Sequence, residues 1–359
     1  MSNVASIFQG VSLRPYQQIA VDRSLSRYKD GNRCSLVTLA VGLGKSWIMV
    51  FVALQYKRVV VLQPCLELVK QNHEKLGKAG LNTTMIDSAH KGDWSADYIY
   101  TTPQTLCKHL DDLNEPDLLI IDEANVFWSG KMFDAIFDRW RKCKVLALTA
   151  TPYFYDRRTI YSHGWMCSET TVYSIESTYG KTVMHMTRQQ GREMGYSPEI
   201  LFTKLRIPMV EAMHIENKPA YKSLLDDHLA KVNTLLKSLS NAIIFCDSKA
   251  QATWLSEQFN IPCIFGDTPK KERQRLVEWF NENKIPFVLT VKCLIRGFDK
   301  PDLENIVLLT NLNNSSEAEQ IVGRLCRGTK AKTCWYIGRL NLKEPIVGQK
   351  EIVKIKRMY

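Results

Sequence analysis

Residues 118–125 read "LLIIDEAN". Four apolar residues run into two adjacent carboxylates, and Asn125 closes the group. A short continuous apolar run suits a strand buried on both faces of a parallel sheet. Asp122 and Glu123 at its end put negative charge at the rim of a low-dielectric interior, which is costly unless a cation meets it there. The same two carboxylates would also serve simply to cap a following helix.

Runs of this type recur along the chain. "SLVTLA" (35–40), "RVVVL" (58–62), "DYIYT" (97–101), "DLLII" (117–121) and "KVLALT" (144–149) form a first series. "AIIFC" (242–246), "PCIF" (262–265), "PFVLTV" (286–291), "ENIVLL" (304–309) and "TCWYI" (333–337) form a second. Strands alternating with helical patterns predict parallel sheets covered on both faces, so two series predict an α/β protein of two such domains. Residues 153–240 are less regular. Pro198, Pro208 and Pro219 mark a crossover, and the amphipathic "YKSLLDDHLAKVNTLLKSL" (221–239) reads as the helix feeding the second sheet. The expected domains are residues 1–200 and 201–359. The tail "KEIVKIKRMY" (350–359) reads as a solvated helix or strand end.

With 359 residues the chain has room for two ordinary domains, and 45% hydrophobic with 24% charged residues excludes a disordered or fibrous chain. A formal net charge of +11 favours an anionic partner, nucleic acid before anionic membrane, although a merely soluble basic protein has the same balance. The ten cysteines are scattered singly, with no CxxC and no Cys/His cluster at zinc spacing. That pattern points to a reduced protein without structural zinc. "MSNVASIFQGVSLRPYQ" lacks a signal-peptide core, and no apolar run approaches the roughly 18 residues of a membrane span. A soluble cytoplasmic protein is expected.

The first apolar run leads into "VGLGKS" (41–46). Gly42 and Gly44 permit a tight turn whose N–H groups, with those of Val41 and Leu43, can face phosphate oxygens. Lys45 adds a point charge, and Ser46 can ligate Mg²⁺. The following "WIMVFVALQY" reads as a helix whose N-terminus favours the same anion. Leu39 stands where the strict spacing wants Gly or Ala, and a plain strand–turn–helix remains an alternative reading. Beside this loop, the acids at 122 and 123 acquire a role. Asp122 would reach Mg²⁺ held with Ser46 and the nucleotide, and Glu123 would orient or deprotonate the attacking water. In "QIVGRLCRG" (320–328), Arg324 and Arg327 are three apart, so a helix would present them on one face. They would stabilise charge on a transferring phosphoryl group, or form only a solvated basic face.

These segments together resemble superfamily 2 helicases and translocases, whose core is two tandem RecA-like domains with ATP bound in the interdomain cleft. "LRPYQQ" (13–18), "AVGLGKS", "DEAN", "LTATP" (148–152), "AIIFCDSKAQA" (242–252), "IRGFDKPDL" (295–303) and "QIVGRLCRG" stand in the family's order. The resemblance implies an adenine contact by Arg14 and Gln17, further nucleotide contacts by Gly297 and Asp299, and a catalytic group of Lys45, Glu123, Gln320, Arg324 and Arg327. It implies a strand-binding surface at Pro64, Thr102, Pro103 and Thr151 in the first domain, and at Ser248, Lys249 and Thr290 in the second. "GDTPKKER" (266–273) and "QIVGR" look closest to RadD-like, UvsW and XPB-type DNA helicases, and the compact chain would suit a phage enzyme.

Two positions depart from the family pattern. Asn125 replaces the usual His or Asp, though an amide can still donate and accept hydrogen bonds. Leu66 replaces a common cationic contact to the strand backbone. The expected function is an ATP- and Mg²⁺-dependent DNA helicase or translocase, a monomer gripping nucleic acid through its backbone. The alternatives are an RNA remodeller, the motor subunit of a restriction or defence nuclease, and a DNA-binding module with a decayed ATP site. "YFYDRRTIYSHGW" (153–165) mixes aromatics with arginines, as base-stacking segments do and as core packing beside a charged turn also does.

Overall fold

The computed structural model describes residues 12–77, 82–87, 92–127, 129–162, 165–291, 300, 302–328, 330–343, 347 and 350–357. The strands are β1 (Cys34–Leu39), β2 (Val59–Leu62), β3 (Thr83–Ile86), β4 (Tyr98–Thr101), β5 (Leu118–Asp122), β6 (Lys144–Thr149), β7 (Tyr153–Ser162), β8 (Trp165–Ser174) and β9 (Thr182–Met186). They continue as β10 (Ile200–Lys204), β11 (Ala242–Cys246), β12 (Cys263–Ile264), β13 (Phe287–Thr290), β14 (Asn305–Leu309), β15 (Lys332–Tyr336) and β16 (Lys350–Arg357). Packing divides the chain into two compact units between Thr187 and Arg188. Lys343 closes the second unit, and β16 belongs to the first. The sequence had set this change near residue 200 and kept the tail with the second domain.

In the first unit a seven-stranded sheet runs β3-β4-β2-β5-β6-β1-β9. Every pairing in it is parallel. β2 is buried at each of its positions, and so are the four apolar residues of β5. Fully burying such side chains stabilises the fold by about 1.5–3 kcal/mol each. Because all strands point the same way, β1, β2, β4, β5 and β6 deliver the segments after them to one edge. Ligands of open parallel sheets bind at that carboxyl edge.

A second sheet in this unit was not legible beforehand. β7 and β8 form a long antiparallel hairpin, and β16 pairs antiparallel with β8 on its other side. The tail is therefore a paired strand, and the aromatic–arginine segment is half of a hairpin. Phe154 packs against the first core and stacks on Tyr173, their ring centroids 6.1 Å apart. The segment called irregular also contains β9, on the edge of the large sheet beside β1.

The second unit carries a six-stranded sheet in the order β10-β15-β14-β11-β13-β12, again parallel throughout. The predicted feeding helix is present as Lys222–Leu236. The edge strand β10 exposes Leu201 and Phe202, which is why its residues did not read as a core strand. Among the described residues, no helix is long and apolar enough to cross a membrane. The two parallel-sheet α/β units are the tandem RecA-like fold that the motifs implied.

Candidate active site

The glycine loop follows β1, whose last five residues are buried. Gly42 and Gly44 both take positive φ, +86° and +75°, a region that L side chains enter only with strain. Gly44 also caps the helix Lys45–Ala53. A Cβ there would lie 2.5 Å from Gln17 Nε2, so a side chain would have to displace that amide as well as strain the backbone. Leu43 is buried and anchors the turn. From the helix Pro15–Lys29, Tyr16 OH donates to Leu43 O at 2.7 Å, and Gln17 Nε2 donates to the carbonyls of Leu43 and Gly44. Gln17 Oε1 accepts from Arg14 N at 2.9 Å. Tyr16 and Gln17, from the segment expected to meet adenine, thus brace the glycine loop directly. Lys45 turns back on its own loop, its Nζ donating to Leu39 O at 3.0 Å. Val41 and Ser46 are half-buried beside it.

The acids stand two strands away on the same sheet edge. Asp122 ends β5, and its Oδ1 accepts from Glu123 N at 3.1 Å. Glu123 has φ +51°, the left-handed region in a non-glycine residue. Burial and the charge of Glu123 push the Asp122 carboxyl up to about 6, opposed by the nearby charge of Lys45 and a hydrogen bond from Gln63. The cation that the strand end requires is therefore partly Lys45 itself. Glu123 Oε2 is buried without a hydrogen-bond partner. An orphaned acceptor beside a destabilised carboxylate fits a hard divalent ion and its water, with the Ser46 hydroxyl and the Asp122 carboxylate as oxygen donors.

Asn125 joins this edge to the segment after β6. Its Oδ1 accepts from Thr149 Oγ1 at 3.0 Å and its Nδ2 donates to Thr151 Oγ1 at 3.2 Å. Thr149 Oγ1 in turn receives Thr151 N at 3.0 Å. The amide uses both of its functions here.

The strand-binding candidates occupy the carboxyl edges, with their hydroxyls already engaged. Thr102 caps the helix Pro103–His109 by accepting from Thr105 N. Thr151 is buried in the relay just described. Pro64 is half-buried, and Leu66 begins the helix Leu66–Gly77. In the second unit, Ser248 caps the helix Lys249–Phe259, and Lys249 Nζ pairs with Asp267 at 2.6 Å. Thr290 is fully buried, its hydroxyl donating to Ile264 O at 2.8 Å.

The arginine segment differs from its expected form. The α-helix Ser315–Val322 stops before it, Gly323–Leu325 is a 3-10 turn, and Arg327 lies beyond that turn. The two guanidiniums therefore do not share an α-helical face. Gly323 at the C-cap ends the regular helix. Gln320, inside the helix, is buried, while Arg324 and Arg327 are half-buried. Gly297 and Asp299 lie outside the described residues.

Sequence reasoning passed over two polar groups in these regions. Gln63, just past the apolar run 58–62, donates from Nε2 to Asp122 Oδ2 at 3.3 Å. Its signal was an amide between "VVVL" and Pro64. Arg188 pairs with Glu319, on the helix that carries Gln320, at 3.3 Å, and lies over the Phe202 ring. Nothing in the sequence links it to that helix.

Residues 10–154 match the family "Type III restriction enzyme, res subunit", and residues 225–329 match the "Helicase conserved C-terminal domain". The chain carries a superfamily 2 helicase core. Among curated proteins it resembles the putative ATP-dependent helicase IRC3 of Saccharomyces cerevisiae, 23% identical over 356 residues, covering 87% of this chain and 49% of that protein. The chain thus spans about half the length of that relative.

Among solved structures, the fold matches the ATP-dependent Type ISP restriction-modification enzyme LlaBIII bound to DNA. The TM-score is 0.68 at 15% identity, over 91% of this chain and 28% of that one. It also matches a putative HsdR subunit fragment of a type I restriction enzyme from Vibrio vulnificus YJ016, with TM-score 0.64 and 18% identity, over 93% and 66% of the two chains. S. cerevisiae Dbp5 bound to RNA and ADP BeF3 gives TM-score 0.59 at 15% identity, over 91% and 88%.

Proposed function

We propose that the protein hydrolyses ATP to move along or remodel DNA in replication, recombination or repair. The observation that carries this reading is the meeting of two segments at one sheet edge. The glycine loop after β1 and the acid pair after β5 share it, with Lys45 near enough to hold down the pKa of Asp122.

Within that reading, Lys45 leaves the Leu39 carbonyl to take phosphate charge, while the N–H groups of the loop from Val41 to Gly44 line the phosphates. Ser46 and Asp122 would hold Mg²⁺, which would supply positive charge against the phosphates. Glu123 orients the attacking water and takes its proton. Arg324, Arg327 and Gln320 are assigned to the charge of the transferred phosphoryl group. Arg14, Gln17, Gly297 and Asp299 are assigned to the rest of the nucleotide.

Nucleic acid is gripped at Pro64, Thr102, Pro103, Thr151, Ser248, Lys249 and Thr290. The engaged hydroxyls favour backbone groups of the protein as the contacts, which gives grip without sequence readout. The +11 charge supports an anionic partner and a steep salt dependence. The chain is assigned to the cytoplasm as a monomer.

A second reading, the motor subunit of a restriction or defence nuclease, is favoured by the family matched at residues 10–154. ATPase and strand-displacement assays over single-stranded DNA, forks, junctions, duplex and RNA test the first reading, with Lys45→Ala as control, whereas the second requires a partner that bears the cleavage site. Stimulation by DNA that disappears in Lys45→Ala is the expected result. Full turnover in that variant overturns the phosphate-loop assignment, and stimulation by RNA alone overturns the DNA assignment.

A further inference from the structure

Gln63 is an anomaly in a strand built to be apolar. β2 is buried throughout, and the amide that follows it is 1% exposed. A primary amide carries two donors and an acceptor, and burial makes each unmet group costly. Here Nε2 donates to Asp122 Oδ2 at 3.3 Å, while Oε1 is buried with no partner. The backbone is fixed by Gln63 N donating to Thr101 O at 3.0 Å.

Gln63 also lines a cavity of about 90 Å³ at the carboxyl ends of β2 and β5. Asp122 shares its wall, together with Pro64, Pro103, Phe127 and Met132. One small space therefore touches the metal-site carboxylate and two residues of the strand-binding edge. Gln63, Gln104 and Asp122 supply the polar part of its wall, and the volume is enough for a water molecule.

We propose that Gln63 is a positioning residue that couples nucleic-acid binding to the metal site. This rests on the function proposed above. Its Nε2 holds the Asp122 carboxylate in one orientation, next to the ion that Asp122 would bind. One peptide bond away, Pro64 meets the nucleic-acid backbone. Movement of Pro64 on binding therefore shifts the amide, and through it the carboxylate.

The test uses the full chain with Gln63→Met, which keeps the length of the side chain, and Gln63→Leu as a second fold-preserving variant. Binding of Mn²⁺ in place of Mg²⁺, with a non-hydrolysable ATP analogue present, is followed by electron paramagnetic resonance. A neighbour that orients a metal ligand typically changes affinity by 10–100-fold, so Mn²⁺ should bind about tenfold more weakly at unchanged melting temperature. The ratio of DNA-stimulated to unstimulated ATPase should fall by about as much, with KM for ATP unaltered. Mn²⁺ affinity equal to wild type in both variants overturns the positioning role. Weakened Mn²⁺ binding with the stimulation ratio intact overturns the coupling. A wild-type chain that no nucleic acid stimulates overturns the function proposed above, while the Mn²⁺ measurement still decides whether Gln63 orients Asp122.

Discussion

Asn125 and Thr151 are joined by a side-chain hydrogen bond of 3.2 Å, from Nδ2 to Oγ1. Because Thr149 Oγ1 donates back to Asn125 Oδ1, the amide ties the acidic strand end to the segment after β6 with both of its functional groups. Asn125→Asp keeps the acceptor for Thr149 and loses the donor to Thr151. Asn125→Ala loses both. Net hydrogen bonds are worth about 0.5–1.5 kcal/mol each, so thermal melting should fall more for Ala than for Asp. DNA stimulation of the ATPase should fall in both. An Ala variant stimulated like the wild type would dissociate the relay from coupling.

Glu123, proposed above to activate the attacking water, sits at φ +51° on a strained backbone. A left-handed conformation costs an ordinary L-residue about 1–2 kcal/mol, and glycine adopts it freely. Glu123→Gly should therefore abolish turnover while the protein melts no lower than wild type. Glu123→Gln should bind ATP without hydrolysing it and accumulate on DNA. A Gly variant that melts well below wild type would show that the side chain stabilises the fold.

Arg324 sits in a 3-10 turn and is not on the α-helix that precedes it. Arg324→Ala should lose ATP turnover while nucleotide affinity stays within a few-fold, as read by a fluorescent ATP analogue. Intact turnover with a large loss of affinity would assign the residue to ground-state binding instead.

His228 is buried, its Nδ1 donating to Pro208 O at 2.8 Å and its Nε2 unpartnered. Its ring lies 5.8 Å from that of Trp254. Burial pulls its pKa below the ordinary 6.5, against the Pro208 hydrogen bond and the nearby charge of Asp227. The native state therefore binds fewer protons than the unfolded chain as pH drops below about 6.5, so stability falls with falling pH in that window. Melting followed from pH 8 to pH 5 should show this loss, and His228→Phe should reduce it. An unchanged slope in the variant would place the acid sensitivity elsewhere.

What the sequence disclosed follows from how parallel sheets are made. Strands buried on both faces announce themselves as apolar runs, so the loop at 41–46 and the acids at 122 and 123 could be placed at one sheet edge together. The hairpin of β7 and β8 was obscured because Thr, Ser, Arg and Tyr share its positions without a clean alternation. Its third strand arrives from nearly two hundred residues downstream, which no local pattern signals. The arginine helix was overextended because spacing cannot reveal that Gly323 ends it. Gln63 escaped notice because its partner, Asp122, is distant in sequence and adjacent only once β2 and β5 pair.

The pairing of β16 with β8 makes the first unit discontinuous, with Arg188–Lys343 inserted into it. Translation runs from the amino end, so the β7–β8 hairpin leaves the ribosome with the outer edge of β8 unpaired. It keeps that edge open while the whole insert is synthesised. A single protease cut in either connection would likewise fail to release the insert, since the other covalent tether still holds it.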